Sequence, residues 1–174
     1  MLCFRDFLDY AERLFEDVKE KKEGKSKYPY IIGSILNSWM SIESFINNMM
    51  QDFSELPEGI FTVHERGFLE EKQVKFVIKG LKAGTFQIEN NEEFKRLEDK
   101  ILFLIAKFGE EENIKGTYLW QRFEKMKKVR NNLSHPKRNK EIILCMEDAK
   151  ESIDLAKDVI TFVSKKVWKV DIKW

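Results

Sequence analysis

Apolar residues recur at spacings of three and four along most of the chain, which predicts a series of amphipathic helices. A first helix is predicted over residues 4–18, with an apolar stripe of Phe4, Phe7, Leu8, Ala11, Leu14, Phe15 and Val18. A second helix is predicted from near Pro29 to about Met50, with a stripe of Ile32, Ile35, Leu36, Trp39, Ile42, Ile46 and Met49. A charged loop over residues 19–27 separates the two.

The middle of the chain has a weaker pattern. Thr62 and Glu65 have the spacing of a capping box, in which each side chain accepts a hydrogen bond from the backbone N–H of the other residue. A third helix is predicted to begin there and to continue to about Lys79, close to Gly80 and Gly84. Residues 85–91 are predicted to be irregular.

Three further helices are predicted in the second half of the chain. Apolar positions over residues 94–108 indicate the fourth helix, which Gly109 ends. Thr117 caps the fifth, and Pro136 must end it because a proline pushes the residue before it out of the helical region. Asn139 opens the sixth, whose apolar face comprises Ile142, Ile143, Met146, Ala149, Ile153, Ala156, Ile160 and Val163.

These elements predict an all-α protein, an up-and-down helical bundle of about five to six helices that forms a single domain over residues 1–174. The chain contains only 8 Gly and 3 Pro, which argues against a loop-rich all-β fold. A short extended segment is expected at the end, where the apolar residues Trp168, Val170, Ile172 and Trp174 alternate with polar ones.

The N-terminus and the cysteines favour a cytoplasmic protein. Asp6 lies among the first residues, which is unlike a signal peptide, and no run of about 18 uncharged apolar residues could span a membrane. Cys3 and Cys145 lie far apart and form no CxxC motif, so neither a disulfide framework nor a zinc site is predicted. We therefore expect no membrane partner, no metal and no cofactor.

The basic residues are unevenly distributed, although the net charge is only +1. Residues 115–140 contain nine Lys and Arg residues against one acidic residue, Glu124. Such a local excess can hold phosphate even in a nearly neutral protein, but taken alone it is more typical of a solvated, lysine-rich helix face. If the surface holds RNA, the expected contacts are Lys127, Lys128, Lys137 and Arg138.

The candidate for chemistry is a histidine at the predicted end of the fifth helix. Of the two histidines, His64 lies inside the capping box and is expected to be an ordinary surface residue. His135 lies one turn after Asn131 and five residues after Arg130. Because Pro136 forces the chain out of the helix there, the side chains of Arg130 and His135 can overhang one shallow site. An arginine and a titratable imidazole are the groups that a phosphodiester substrate needs.

The segment Arg130-Asn131-Asn132-Leu133-Ser134-His135, followed by Pro136, resembles the R-N-x-x-x-H motif of HEPN (higher eukaryote and prokaryote nucleotide-binding) domains. The resemblance implies a four- or five-helix bundle that dimerises, brings two motifs into a shared cleft and cleaves RNA without a metal. A toxin subgroup of this family has a tyrosine two residues after the histidine, as the acceptor of nucleotide modification. Lys137 occupies that position here, so this form of regulation is not predicted.

A second part of the resemblance is the helix over residues 39–47, which is similar to an early core helix of that family in which a polar residue faces the motif. Glu43 is the polar residue here. It is in line with Trp39 and Ile46 on an otherwise apolar stripe, where an ionised side chain is costly unless it is paired. Two interpretations stay open: Glu43 pairs with Arg130, or it flanks the stripe and reaches solvent.

The motif and the resemblance together predict a metal-independent endoribonuclease in which the 2′-OH of the substrate attacks the phosphate and leaves a 2′,3′-cyclic phosphate. His135 is the expected general acid or base and Arg130 the group that binds the phosphate. Asn131, and less directly Ser134, would orient His135 or bond the phosphate. One motif histidine per chain indicates a homodimer with a composite active site.

A toxin or an antiviral defence effector, acting with an antitoxin or a defence partner protein, fits this activity. Two other functions stay open. One is a non-catalytic module that binds RNA or a nucleotide at the same residues. The other is a structural partner subunit, in which Arg130 and His135 only stabilise the C-terminus of a helix, where cations interact favourably with the helix dipole.

Overall fold

The computed structural model describes residues 3–20, 27–57, 59–109, 113–135 and 143–174, which are mostly helical. The helices are α1 (Phe4–Glu20), α2 (Tyr28–Ser54), α3 (Val63–Leu69), α4 (Leu97–Phe108), α5 (Tyr118–Ser134) and α6 (Met146–Val167). Between α3 and α4 the chain forms two antiparallel strands, β1 (Lys72–Phe76) and β2 (Phe86–Glu92), and a 3-10 turn (Ile114–Gly116) precedes α5. The predicted helical class is confirmed, and the HEPN-like bundle stays a prediction.

The chain forms two compact units, one made of Met1–Phe45 with Leu102–Trp174 and the other of Ile46–Ile101. The single domain over residues 1–174 stays a prediction. In the first unit, α6 packs against α1 and α5. Residues of the predicted apolar stripes form much of its core, including Leu8, Val18, Ile35, Ile42, Phe123, Met126, Ile160 and Val163. Ile31 and Leu155, which lie outside those stripes, are buried as well.

Buried serines join the helices of the first unit. Ser34 of α2 is fully buried, and its Oγ donates a hydrogen bond to the carbonyl oxygen of Ala11 at 2.9 Å. Ser152 of α6 donates to the carbonyl oxygen of Ile35 at 3.4 Å. Since an unpaired buried hydroxyl costs about 1–3 kcal/mol, these hydrogen bonds allow small polar residues within the core.

The tail after α6 packs within the first unit and has no regular secondary structure. The ring of Trp168 packs edge-on against Phe45, with 5.7 Å between the centroids, and the ring of Trp174 packs edge-on against Phe4 at 6.4 Å. The Nε1 of Trp174 donates to Oγ1 of Thr161 at 3.0 Å. The aromatic residues of the tail are therefore held by packing rather than by pairing with a strand.

In the second unit, the helix that starts at the capping box is shorter than predicted. The capping box itself is confirmed, because the backbone N–H of Glu65 donates to Thr62 Oγ1 at 3.2 Å and that of Thr62 donates to Glu65 Oε2 at 2.8 Å. However, α3 ends at Leu69, and a β-hairpin follows. The helix predicted as far as Lys79 and the irregular segment predicted over residues 85–91 are both wrong.

A period of two explains the hairpin. Over residues 72–79, apolar side chains partly alternate with Lys and Gln, which is the pattern of a half-exposed strand. Gly80 and Gly84 have φ values of +93° and +87°, which glycine adopts without a steric penalty, and they allow the chain to reverse. The register places Phe76 opposite Phe86.

A buried lysine is paired within the second unit. Lys100 is buried, and its Nζ donates to Asn47 Oδ1 at 2.8 Å and lies 2.9 Å from Glu71 Oε2. The other carboxylate oxygen of Glu71 accepts from the backbone N–H of Lys95 at 2.8 Å. Glu71, which lies between α3 and β1, thereby connects this segment with the segment before α4.

The remaining helices agree with their predictions except at their ends. α2 continues to Ser54, and α4 begins at Leu97 rather than near Phe94, whose side chain is exposed. Residues 143–145 are not helical, so α6 begins later than predicted; Asn139 itself lies outside the described residues. Within the described ranges, no helix is both long enough and apolar enough to cross a membrane.

Candidate functional site

The motif lies on the last turn of α5. As predicted, Thr117 caps this helix, and its Oγ1 accepts a hydrogen bond from the backbone N–H of Trp120 at 3.2 Å. Trp120, Phe123 and Met126 are buried on one face of the helix. This buried face anchors α5 along its first ten residues, and the polar residues of the motif follow it.

α5 ends where the motif predicts. The helix stops at Ser134, and His135 has left the helical region with φ −133° and ψ 67°. The backbone N–H of His135 still donates to the carbonyl oxygen of Asn131 at 2.9 Å. Pro136 lies outside the described residues. The exposed imidazole of His135 therefore belongs to the residue that directly follows the last residue of α5.

A glutamate from α2 holds Arg130. The Nη2 of Arg130 lies 3.1 Å from Glu43 Oε1, and the two side chains are 30% and 34% exposed. Of the two interpretations left open by the sequence, the pairing with Arg130 is observed, and Glu43 also reaches solvent, as the other had it. An ion pair this exposed contributes only about 0.2–1 kcal/mol to stability. Its main effect is thus to fix the position of the guanidinium group.

Trp39 contacts both members of this ion pair, which the sequence did not predict. Its Nε1 donates to Glu43 Oε1 at 2.8 Å, and the Cζ of Arg130 lies 5.9 Å from the centroid of its ring. The periodicity assigned Trp39 only to the apolar stripe. Its spacing of four residues from Glu43 puts the two side chains on one helix face and could have indicated the hydrogen bond.

Stacked aromatic rings support Trp39. The ring centroids of Trp39 and Phe123 are 5.0 Å apart with planes inclined at 26°, and those of Phe123 and Trp120 are 5.1 Å apart at 30°. Trp39 and Phe123 are only 4% and 1% exposed. Because rings packed in this way have little freedom to change rotamer, they form a rigid base beneath Glu43 and Arg130.

Asn131 contacts Arg130. Its Oδ1 accepts a hydrogen bond from Arg130 Nη1 at 3.3 Å. We call Trp39, Glu43, Arg130 and Asn131 the arginine cluster. Among the described residues, neither the Ser134 hydroxyl nor the His135 imidazole has a hydrogen bond or ion pair. The structure thus brings Arg130, Asn131 and Glu43 together, whereas His135 and Ser134 share the end of α5 without a bond to the cluster.

Part of the predicted basic surface is neutralised within the molecule. Arg122 Nε lies 2.6 Å from Glu151 Oε1, and its Nη1 lies 2.6 Å from Asp158 Oδ2. The hydrogen bond to Glu151, together with that to Asp158, holds the pKa of Arg122 above its ordinary value. Arg122 therefore ties α5 to α6 and is a poor candidate for binding phosphate.

The four lysines and arginines predicted to bind RNA differ in their surroundings. Lys127 lies 3.5 Å from Glu124, one turn before it on α5. Lys128 is exposed to solvent. Lys137 and Arg138 lie outside the described residues. Of the four, Lys128 is the one that the structure places at the surface of α5, with a side chain that a phosphate can reach.

Cys145, which precedes α6, is not an activated thiol. Hydrogen bonding with Glu147, and then with Asp148, raises the pKa of the Cys145 thiol, which is opposite to the shift that a catalytic thiolate needs. Within the described part of the chain, no group of three or more His, Cys, Asp or Glu side chains is placed to hold a metal ion.

The arginine cluster and His135 offer two kinds of chemistry at one helix end. The guanidinium is an oriented cation that can donate hydrogen bonds to a phosphate in place of Glu43, and the imidazole is exposed to solvent. No protein-family model matches the chain, and neither does any curated protein or solved structure.

Proposed function

We propose that the protein is a metal-independent endoribonuclease whose site is the C-terminal end of α5. The observation that carries the proposal is the Arg130 guanidinium, which Glu43 and Asn131 fix five residues before an exposed His135. A guanidinium group presents parallel donors that match two phosphate oxygens, and an imidazole can transfer protons near neutral pH. Membership of the HEPN family, with its up-and-down bundle, belongs to the same proposal.

In the proposed reaction, a ribose 2′-oxygen forms a bond to the adjacent phosphorus, and the bond from phosphorus to the 5′-oxygen breaks. One imidazole takes the proton of the 2′-OH, and a second proton donor protonates the departing 5′-oxygen. The products are a 2′,3′-cyclic phosphate and a 5′-OH. Since each chain has one histidine in its motif, we assign the second proton donor to His135 of another copy in a homodimer.

Glu43 is in this scheme a partner that the RNA phosphate displaces. In the free protein it neutralises and orients the guanidinium, and at this degree of exposure the ion pair is weak enough to exchange. Glu43 therefore keeps the Arg130 guanidinium in one position, and the guanidinium is still able to bind the phosphate of the substrate. A cytoplasmic toxin or antiviral effector, restrained by an antitoxin or defence partner, is the setting in which such an enzyme would act.

A specific observation favours a second candidate, a module that binds RNA without cleaving it. Within the described residues, the His135 imidazole has no partner that would set its tautomer, whereas a catalytic histidine is commonly oriented by a second group. In this case Arg130 and Asn131 hold a phosphate, and His135 contacts the sugar or the base.

The test is cleavage of mixed RNA in the presence of EDTA. Wild-type protein is compared with Arg130→Ala and His135→Ala, and Lys125→Ala, which removes an exposed cation from the same helix, is the control. We expect cleavage to persist in EDTA and to fall about 10²–10⁴-fold in each of the two variants. End-group analysis of the fragments should find 2′,3′-cyclic phosphates.

Unchanged cleavage by His135→Ala would refute the nuclease. An absence of cleavage in all proteins, together with salt-sensitive retention of RNA that Arg130→Ala loses, supports the binding module instead.

A further inference from the structure

The second unit, Ile46–Ile101, contains a cavity of about 450 Å³ next to the start of α3 and the hairpin. Its walls include the apolar side chains of Phe61, Val63, Phe86 and Ile88 and the charged side chains of Arg66 and Lys82. Among the described residues that line the cavity, only Arg66 and Lys82 are charged, and none is acidic. The cavity therefore combines apolar walls with positive charge.

The guanidinium group of Arg66 is fixed by backbone oxygens. Its Nη1 donates to the carbonyl oxygen of Ser54 at 2.8 Å, and its Nη2 donates to those of Leu56 at 2.9 Å and Pro57 at 3.1 Å. Carbonyl groups orient the guanidinium but do not cancel its charge. No carboxylate of the described residues forms an ion pair with Arg66, so its charge is available to an anion.

Phe86 presents a ring to the cavity and to solvent. Its side chain is 47% exposed although it lies on a β-strand. The rings of His64 and Phe76 contact it, with centroids 4.6 Å and 5.2 Å away, and hold its orientation. An exposed aromatic ring on a strand, close to cations, is the kind of surface on which unpaired nucleic-acid bases stack.

We propose that this cavity binds one unpaired nucleotide, with its base against Phe86 and its phosphate held by Arg66 and Lys82. An aromatic wall without cations would favour an apolar ligand, and cations without the ring would favour any anion. The two together select a ligand that has both a flat ring and a phosphate. Assigning the nucleotide to an RNA strand rests on the proposed function, and the cavity then binds a substrate nucleotide other than the one that is cleaved.

The first test uses the full chain carrying His135→Ala, so that RNA is not consumed, and a fluorescently labelled single-stranded oligonucleotide. Fluorescence anisotropy is measured with and without Phe86→Ala and Phe86→Leu. We expect each change to weaken binding about ten- to a hundredfold, because stacking needs the aromatic face. Phe86→Leu keeps an apolar side chain in the hairpin and so separates loss of stacking from loss of folding.

The matched control is Phe94→Ala, which removes an exposed phenylalanine of the same unit that does not line the cavity. It should bind as the parent does. Circular dichroism checks that both Phe86 variants are folded. The proposal is overturned if these folded variants bind as the parent does, or if Phe94→Ala weakens binding as much as they do.

The second test concerns the phosphate. Lys82→Ala should weaken binding about three- to tenfold and reduce the dependence of log Kd on log salt by about 0.7, the value for one contact to a single strand. Lys79→Ala, which removes a lysine of the same turn outside the cavity, should do neither. An unchanged salt dependence in Lys82→Ala contradicts the assignment of the phosphate.

Competition experiments separate the sources of the ligand. If uridine or adenosine monophosphate displaces the labelled probe as effectively as the unlabelled oligonucleotide does, the cavity is a nucleotide site and its ligand is a free nucleotide. If only the oligonucleotide displaces the probe, the ligand is a nucleotide of a strand. Binding of the chain to phosphatidylserine vesicles but not to RNA overturns the proposal, since Ile78 and Leu81 are exposed on the same turn. If the wild-type protein cleaves no RNA but the Phe86 variants lose binding, the proposed nuclease activity is refuted and the proposed nucleotide site in the cavity is supported.

Discussion

Among the described residues, Glu43, Asn131 and Trp39 each constrain a different part of the Arg130 guanidinium group. Glu43 bonds one terminal nitrogen, Asn131 bonds the other, and the ring of Trp39 lies next to the central carbon. A guanidinium held in this way has already lost most of its rotamer freedom, so a phosphate that replaces Glu43 meets a smaller entropic cost. Glu43 is in these terms a positioning residue.

Substitution of Glu43 separates its charge from its shape. Glu43→Gln keeps an acceptor for Trp39 and Arg130 but removes the charge that competes with phosphate, so we expect RNA to bind about three- to tenfold more tightly with cleavage retained. Glu43→Ala releases the guanidinium, and kcat should fall about ten- to a hundredfold. Kd by anisotropy and single-turnover cleavage rates measure the two effects.

The control is Glu12→Gln, which neutralises a glutamate paired with Lys157 elsewhere in the first unit and should leave both quantities unchanged. Equal behaviour of Glu43→Gln and Glu43→Ala would contradict a positioning role.

The sequence predicts some members of the arginine cluster and not others, for a physical reason. A carboxylate on an apolar stripe needs a cation, which made Glu43 and Arg130 predictable as a pair. Trp39 fits an apolar stripe whether or not its N–H has a partner, so periodicity alone cannot assign its hydrogen bond. The contact of Asn131 with Arg130 depends on the side-chain rotamers of adjacent residues, which spacing does not specify.

At the scale of elements, α3 packs closely against β1 at Gly67. A Cβ at Gly67 would lie 2.3 Å from Val74 Cγ2 and 3.2 Å from the carbonyl oxygen of Lys72. A glycine within a helix costs about 1 kcal/mol relative to alanine, and here the close approach of the strand requires it. The position of the hairpin against α3 therefore depends on the absence of a Cβ at residue 67.

We expect Gly67→Ala to destabilise the protein by up to about 2 kcal/mol, because an overpacking cost of about 1–3 kcal/mol is offset by a gain of only about 1 kcal/mol in helix propensity. Urea denaturation measures the change. Adding Val74→Ala removes the atom that the new Cβ meets and should make Gly67→Ala less costly than it is in the wild-type background.

Gly116→Ala is the control, since the nearest atom to its Cβ would be 3.6 Å away, and it should be neutral or mildly stabilising. Gly67→Ala with the same cost in both backgrounds would show that the contact with Val74 is not the cause.

The long helices were predictable, and the hairpin was not. Each long helix buries one face, so its sequence carries a clear period. The hairpin has two short strands whose apolar residues, such as Phe76 and Phe86, remain half exposed, so alternation there is weak. The end of α3 is also poorly marked, because Glu71 adopts a φ of +52°, a conformation that usually belongs to glycine.

At the scale of the whole molecule, the proposed reaction assigns its second proton-transfer group to another copy of the chain. Cleavage of RNA through the 2′-OH needs one group to remove a proton and another to supply one, and the motif has a single histidine.

The helical class follows from periodicity, but the contacts of α6 with α1 and α5 and the division into two units involve residues far apart in the chain. Local patterns do not specify such contacts.

Mixing experiments test the composite site. If wild-type chains exchange partners with about a threefold excess of His135→Ala chains, about a quarter of the wild-type chains remain in fully wild-type dimers. Cleavage per wild-type chain should then fall to about a quarter of its value, since a mixed dimer lacks one proton-transfer group.

The same mixture assayed before exchange is the control, and differently tagged chains report when exchange is complete. An unchanged rate after complete exchange would mean that each chain has a self-contained site.

The contact between Trp174 and Phe4 brings opposite ends of the described chain side by side. A short flexible linker could therefore join them, and the chain could be cut instead at the turn around Leu81, whose side chain is fully exposed. Such a circular permutant would move its new ends to the second unit. The α5 motif would then lie within one uninterrupted run of the first unit, with α1 following the tail directly in the chain.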